Sequence, residues 1–178
     1  MDRIRRITAS NFRCIRSATV DVGDITILFG PNGAGKSTWL DIVWFIRDCC
    51  IRGVPEASAD RNHGIGMLWS KAEGTEGIEL GMETDRLHYR LHIDFENGRI
   101  NPYPNEEWTN LGDGSRVLQR ESGSTSFQLL DENGKDFGVP LLEPEKLAIS
   151  QYLSGENRHD PGIRPSLADD KDQAARDG

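Results

Sequence analysis

The sequence predicts an α/β fold with two parts, a strand–turn–helix core near the N-terminus and an antiparallel β lobe that follows it. Residues 25–29 are a continuous apolar run, typical of a strand buried on both faces of a sheet, and a glycine-rich turn ends the run. Residues 37–50 then carry apolar side chains at nearly helical spacing. From residue 78 apolar and polar residues alternate instead, which indicates half-buried strands.

The core is predicted to span residues 1–52. Two further strands are expected there, at 4–9 and 17–22, and Gly53-Val-Pro55 is expected to end the helix. Residues 53–77 are rich in Gly, Ser, Asp, Asn and Glu, so this stretch is predicted to be a surface loop.

The antiparallel β lobe is predicted over residues 78–142. Strands are expected at 78–82 and 87–95, and two shorter ones at 116–119 and 127–130. The dipeptides Asn97-Gly98 and Asn133-Gly134 are hairpin signals within the same lobe.

The end of the sequence divides into two segments. Residues 143–154 contain a short apolar element, either helix or strand, at 146–153. Residues 155–178 contain few apolar residues and many charged ones, so we expect a disordered tail.

Composition excludes several classes of protein. The net charge of −8 argues against a free-standing nucleic-acid binder, which needs clustered lysine and arginine to neutralise phosphates. The three cysteines show neither a disulfide framework nor metal-ligand spacing. No apolar stretch approaches the roughly 18–20 residues that span a bilayer. We therefore expect a cytoplasmic protein without a membrane partner.

The strongest motif is Gly30-Pro-Asn-Gly-Ala-Gly-Lys-Ser-Thr38, which fits the P-loop pattern G-x-x-x-x-G-K-[ST] between a predicted strand and a predicted helix. Glycines let successive backbone N–H groups turn toward phosphates, and the helix N-terminus adds its own N–H groups. The lysine is expected on the β- and γ-phosphates and Ser37 on Mg²⁺. The pattern predicts P-loop binding of ATP and Mg²⁺. The predicted nucleotide-binding residues are Gly30, Asn32, Gly33, Ala34, Gly35, Lys36, Ser37 and Thr38.

Three further features stand near this motif, namely Asn11-Phe-Arg13, a predicted strand pair, and Asn32-Gly33 within the loop. In these features the chain resembles ATPase heads of the RecF/SMC/OLD type, which belong to the AAA/ABC class of P-loop NTPases. The resemblance implies that Arg13 lies near the phosphates or the ribose, although a surface cation at a strand end is an equal alternative. It also implies that Gln151 is a Q-loop residue that touches Mg²⁺ and the attacking water; alternatively, Gln151 is a polar residue ending a short element.

Two elements that the resemblance requires for hydrolysis are not recognisable. Asp131-Glu132 follows apolar residues but precedes a hairpin signal, so it does not fit a Walker B strand. Leu153-Ser-Gly-Glu156 is one glycine short of a signature loop. No catalytic residue is assigned apart from the candidate Gln151, and ATP hydrolysis is implied by the resemblance alone. The pattern fits the N-terminal part of a head, as a truncated product, a fragment or half of a split ATPase.

The resemblance implies a role in DNA repair or anti-phage defence. The implied partners are ATP together with a second copy, a complementary ATPase half or an effector protein. Contact with nucleic acid is expected only through such an assembly. Two alternatives remain, a non-catalytic nucleotide-responsive partner module and a transporter ATPase subunit.

Overall fold

The described residues form an eight-stranded antiparallel sheet with helices packed against it. The computed structural model describes residues 3–61, 66–72, 77–96, 101–130 and 135–154. The strands are β1 (Ile4–Phe12), β2 (Ile15–Asp21), β3 (Ile78–Thr84), β4 (Leu87–Phe95), β5 (Pro102–Leu111), β6 (Arg116–Arg120), β7 (Ser126–Leu130) and β8 (Asp136–Pro140). The helices are α1 (Lys36–Arg52), α2 (Val54–Ala59) and α3 (Ala148–Ser154).

The predicted core and the predicted β lobe share one sheet, whose strand order is β2-β1-β3-β4-β5-β6-β7-β8. Strand β1 pairs with β2 on one side and β3 on the other, with Ala9 opposite both Ala18 and Leu80. Strands from before and after the predicted boundary at residue 52 are thus paired with each other. After α2, the next strand in the described part of the chain is β3, which pairs antiparallel with β1.

One face of the sheet and the helices enclose the apolar core. The alternation predicted for 87–95 is confirmed, since Leu91 and Ile93 are buried. Helix α1 contributes Ile42 and Phe45 to the same cluster, and the Phe45 ring lies 5.8 Å from the ring of Phe12 on β1. The start of α1, which is the candidate phosphate site, is thus held against the β1–β2 end of the sheet.

The apolar run 25–29 is not a strand, which corrects the prediction. These residues are irregular backbone, with Ile25 85%, Ile27 77% and Phe29 92% exposed. A strand of this composition needs neighbours on both edges and both faces. In the described part of the chain no strand pairs with it.

Two other elements differ from the prediction. Helix α2 forms at the beginning of the predicted loop, because Pro55 sits in its first turn, where a missing N–H costs little. Strand β5 was not predicted, because Pro102 and Pro104 argue against an interior strand. An irregularity in register opposite His92 and Ile93 accommodates this stretch.

The last predicted apolar element is a helix, α3. The hairpin signals Asn97-Gly98 and Asn133-Gly134 lie outside the described residues, as does the predicted disordered tail 155–178. Among the described residues, no helix is long and apolar enough to cross a membrane.

Candidate phosphate-binding site

The loop between residue 30 and α1 has the backbone conformation that its glycines allow. Gly33 and Gly35 have φ angles of 82° and 85°, in the left-handed region that side chains with a Cβ rarely adopt. A Cβ at residue 35 would also lie 3.0 Å from the Cys14 Sγ, whereas a Cβ at residue 33 would meet nothing within 4 Å. The space beside Gly33 is therefore open to a ligand.

Helix α1 begins at the loop, with Gly35 as its N-cap and no side chain capping it. The first backbone N–H groups of any helix have no intrahelical acceptor, and they carry the positive end of the helix dipole. No acidic residue lies in the first turn of this helix. The helix start therefore favours an anion.

Lys36 reaches back across the loop. Its Nζ donates hydrogen bonds to the carbonyl oxygens of Gly30 at 2.9 Å and Pro31 at 2.7 Å. Both acceptors are neutral carbonyls, and a phosphate oxygen would form stronger, charge-assisted bonds with the same ammonium group. The lysine lies over the loop, where it could exchange carbonyl partners for a phosphate.

The two hydroxyl residues after the lysine differ in exposure. Ser37 is exposed, so its hydroxyl is open to a metal ion or phosphate. Thr38 is buried, and its Oγ1 lies 3.4 Å from the Cys14 Sγ. Sequence reasoning missed Cys14 as a neighbour of the loop, because the turn between β1 and β2 brings it there and no local motif marks it.

Arg13 precedes that cysteine in the same turn, with a φ of 53°. Its Nε lies 3.0 Å from Oδ2 of Asp41, one turn along α1 from Ser37. Asp41 also pairs with the buried side chain of Arg61 at 3.0 Å. The guanidinium of Arg13 is therefore held beside the first turns of α1 by a carboxylate. Its contact with phosphate or ribose stays a prediction.

Gln151 lies on α3, where its side chain bonds to the backbone. The amide Oε1 accepts from the N–H of Leu142 at 3.0 Å, and Nε2 donates to the carbonyl of Pro140 at 2.8 Å. These bonds join α3 to the end of β8. The predicted role of Gln151 toward Mg²⁺ is untested by this geometry.

A buried charged cluster that the sequence did not indicate also holds α3 in place. Glu107 on β5 is fully buried and accepts hydrogen bonds from the Tyr89 hydroxyl at 2.9 Å and the backbone N–H of Ala148 at 2.5 Å. Arg120 on β6 lies 3.9 Å from the same carboxylate and donates to the carbonyl of Pro144 at 3.0 Å. Burial raises the pKa of Glu107, although its hydrogen bonds and the charge of Arg120 act to lower it. Burial likewise lowers the pKa of Arg120, although the charge of Glu107 acts to raise it.

The residues of the loop fit a nucleotide with its metal ion. The α1 N-terminus and Lys36 would hold phosphate oxygens, and Ser37 would contribute one oxygen ligand to Mg²⁺. Among the described residues no group of three or more His, Cys, Asp or Glu could bind a metal by itself. An Mg²⁺ ion at this loop would take its other ligands from phosphates and water, as is usual for this ion.

Comparison with known proteins agrees with the motif. A family model described as an AAA domain matches residues 6–166. The hemin import ATP-binding protein HmuV of Bradyrhizobium diazoefficiens is 28% identical over 159 residues, which cover 82% of this chain and 52% of that protein. The OLD nuclease of Thermus scotoductus is 43% identical over 37 residues, or 21% of this chain and 7% of that protein.

The chain thus spans about half the length of one relative and a small part of the other. The family model, in contrast, covers most of the chain. The chain therefore belongs to the AAA domain family, as an ATPase head of the AAA/ABC type.

Proposed function

We propose that this chain is the ATP-binding part of an ABC/SMC/RecF/OLD-like P-loop ATPase, and that residues 30–38 hold the triphosphate of Mg·ATP. One observation carries the proposal: the Lys36 ammonium lies over a glycine loop whose next element is the uncapped start of a 17-residue helix. A cation, a helix N-terminus and a loop of left-handed glycines together favour a polyphosphate.

Binding and hydrolysis are separate parts of the proposal. The loop supplies phosphate contacts and one Mg²⁺ ligand, but the sequence shows no Walker B strand or signature loop. Hydrolysis therefore requires residues contributed by an assembled head. The chain alone is expected to bind ATP and to turn it over slowly.

The nucleotide titration uses the purified chain, fluorescent mant-ATP and Mg²⁺. Lys36→Ala removes charge-assisted hydrogen bonds worth about 1.5–3 kcal/mol, so affinity should fall about ten- to a hundredfold. Lys71→Ala is the matched control, since Lys71 is an exposed lysine outside the loop and should leave affinity unchanged. Equal affinities for both variants and the unmodified chain would refute phosphate binding at this loop.

The turnover assay tests the second part. A slow basal ATPase rate in the isolated chain is the expected result. A fast rate that Lys36→Ala abolishes would show that the chain already contains a complete catalytic site, contrary to the proposal.

The pathway is the finer part of the proposal. The Asn11-Phe-Arg13 element and the similarity to an OLD nuclease favour DNA repair or anti-phage defence in the cytoplasm. The alternative is a transporter ATPase subunit, which is favoured by the similarity to an import ATP-binding protein over 82% of the chain. ATP-dependent retention of linear duplex DNA by the assembled head supports the first function, and retention unaffected by ATP, or none, supports the second.

A non-catalytic, nucleotide-responsive partner module is a third candidate, favoured by the unrecognised Walker B and signature elements. It predicts that an assembled head still fails to hydrolyse ATP, whereas the leading proposal predicts that assembly raises the rate.

A further inference from the structure

The turn between β1 and β2 is fixed beside the start of α1. The backbone N–H of Arg13 donates to the carbonyl of Met67 at 2.5 Å, and Phe12, the residue before it, is fully buried. The residue after it, Cys14, has its Sγ 3.4 Å from Oγ1 of Thr38 in the first turn of α1. The backbone that carries the Arg13 side chain is therefore held close to the phosphate loop.

The guanidinium of Arg13 is held from one side only. Its Nε lies 3.0 Å from Oδ2 of Asp41, and its side chain is 39% exposed. None of the described residues accepts a hydrogen bond from its two terminal amino groups. Helix side chains lean toward the helix N-terminus, so the Asp41 carboxylate is directed at the turn that contains Ser37. The open end of the guanidinium thus lies near the helix start, where the phosphates are expected.

Asp41 is itself anchored by a second arginine. The Nε of Arg61 donates to Asp41 Oδ1 at 3.1 Å, and its side chain is only 8% exposed. The Arg61 guanidinium lies 4.9 Å from the centre of the Phe45 ring and donates to the carbonyl of Ala57 at 2.7 Å. Asp41 Oδ2 accepts no hydrogen bond from a described residue and faces the guanidinium of Arg13. One oxygen of the carboxylate is therefore fixed inward, and the other is directed at Arg13.

The charge of Asp41 makes its position informative. A carboxylate near an anion site repels the anion, so on charge alone the removal of Asp41 should strengthen nucleotide binding. A carboxylate that holds a useful cation in place has the opposite effect, because its removal releases that cation. The sign of the change in affinity distinguishes the two roles.

We propose that Asp41 is a positioning residue for nucleotide binding. Anchored by Arg61, it fixes the Arg13 guanidinium through Nε, so that the two terminal amino groups of Arg13 contact the phosphates held at the loop. A guanidinium forms bidentate, charge-assisted hydrogen bonds with phosphate oxygens. Holding it in place before binding reduces the conformational entropy that is lost when the nucleotide binds.

The inference rests on the proposed function, because it requires Mg·ATP at residues 30–38. The two fail separately in the same mant-ATP titration. If Lys36→Ala weakens binding but the changes at Arg13 and Asp41 do not, the loop binds the nucleotide and the inference alone is overturned.

The first test is Arg13→Gln in the purified full chain. The variant should bind mant-ATP about three- to tenfold more weakly, since it loses charge-assisted hydrogen bonds at a partly exposed position. Arg16→Gln is the matched control, an exposed arginine on β2 whose guanidinium lies over the ring of Trp69. It makes the same change in net charge and should leave affinity unchanged. Equal affinities for the two variants would overturn the inference.

The second test is Asp41→Asn, which should weaken mant-ATP binding about two- to fivefold although it removes a negative charge. Asp48→Asn is the matched control, because Asp48 lies on the same helix and 3.5 Å from Arg61 but makes no ion pair with Arg13 in the described part of the chain. Affinity should not fall in that control. In the Arg13→Gln chain, Asp41→Asn should cause no further loss, because the residue that it positions is already absent.

Thermal melts establish that each variant is folded at the temperature of the titration. Asp41→Glu keeps a carboxylate and should retain most of the affinity that Asp41→Asn loses. If Asp41→Asn does not fold, Arg61→Lys replaces it in the cycle. That variant keeps the buried charge but loses the Nε donor to Asp41, so it should weaken binding only when Arg13 is present.

Three results of the second test would overturn the inference. The first is tighter binding by Asp41→Asn than by the unmodified chain, which would show that Asp41 only repels the nucleotide. The second is an equal loss in Asp41→Asn and Asp48→Asn, and the third is a loss that is as large without Arg13 as with it.

Discussion

Glu107→Ala tests how the sheet holds the C-terminal helix, and we expect it to be the most destabilising single change among the charged residues. The carboxylate is completely buried and accepts three hydrogen bonds, from the Tyr89 hydroxyl at 2.9 Å and from the backbone N–H groups of Ala148 at 2.5 Å and Ile149 at 3.3 Å. Truncation leaves these donors without their acceptor and leaves the guanidinium of Arg120 buried without its counter-ion.

The magnitude follows from those lost partners. Breaking a buried ion pair by removing one member costs about 3–5 kcal/mol, because the other charge stays buried. For a chain of this size each 1 kcal/mol lowers the melting temperature by roughly 2–4 °C, so the decrease should be about 6–20 °C. Urea unfolding followed by tryptophan fluorescence measures the free energy of unfolding, and a thermal melt gives the temperature.

Two further variants separate the pair from general damage. Glu106→Ala changes the adjacent, half-buried carboxylate and should cost about 0.5 kcal/mol or less, as at ordinary surface positions. The double change Glu107→Leu with Arg120→Met replaces the pair by apolar side chains and should recover most of the lost stability. Two results would show that the buried pair does not hold α3 as described. One is a free energy of unfolding for Glu107→Ala within about 1 kcal/mol of that of the unmodified chain, and the other is a double variant no more stable than Glu107→Ala.

Three other predictions concern the loop and the surface. Gly35→Ala should reduce the free energy of unfolding more than Gly33→Ala. Both substitutions force a Cβ into a left-handed conformation, which costs about 1–2 kcal/mol, but only the Cβ at residue 35 would also lie 3.0 Å from Cys14 Sγ. Equal urea midpoints for the two variants would contradict this prediction. Alkylation by iodoacetamide should label exposed Cys14 first, and Mg·ATP should slow that labelling. Buried Cys49 and half-buried Cys50 should react slowly, since burial raises the pKa of both thiols, that of Cys50 to about 12. Mass spectrometry identifies the labelled sites, and faster labelling of Cys49 or Cys50 than of Cys14 would count against the described packing. The hydrogen bond from Arg5 lowers the pKa of Asp85 below its ordinary 3.8, so the ion pair stabilises the fold above pH 3.8 and loses that effect as pH falls through the lower pKa of the folded state. Asp85→Asn should therefore lower the urea midpoint at neutral pH and much less at strongly acid pH. An equal loss at both pH values would contradict this prediction.

The sequence predicted the elements whose patterns depend on near neighbours. The alternation over Leu87–Phe95 and the helical spacing after Lys36 both matched, because one buried face is enough to produce each pattern. Residues 25–29 failed for the opposite reason. Their composition suits a strand with neighbours on both sides, and the described residues provide none.

Long-range pairing was the main limit of the sequence reasoning. Strand β5 was missed because its two prolines disfavour a strand locally, although the register irregularity beside β4 accommodates them. Nothing in the local sequence distinguishes Glu107 from the neighbouring polar residues. The sheet nevertheless buries it against the start of α3, 41 residues away in sequence. Only the tertiary fold brings that carboxylate to the helix.

The candidate residues of the loop came from the spacing of the motif. Lys36 Nζ donates a hydrogen bond to the Gly30 carbonyl at 2.9 Å, and its contact with phosphate stays a prediction. Arg13 and Gln151 came from a resemblance instead, and the structure shows each bonded elsewhere, to Asp41 and to the backbone around Pro140. Their roles toward a nucleotide stay predictions.

The central claim is that residues 30–38 hold the phosphates of Mg·ATP, and a backbone amide NMR titration of the full chain tests it most directly. Adding Mg·ATP should shift the amide signals of the loop and the first turn of α1, and AMP should shift them far less, because it lacks the β- and γ-phosphates. Shifts concentrated on strands of the sheet away from the loop, or equal shifts with AMP and Mg·ATP, would contradict the claim.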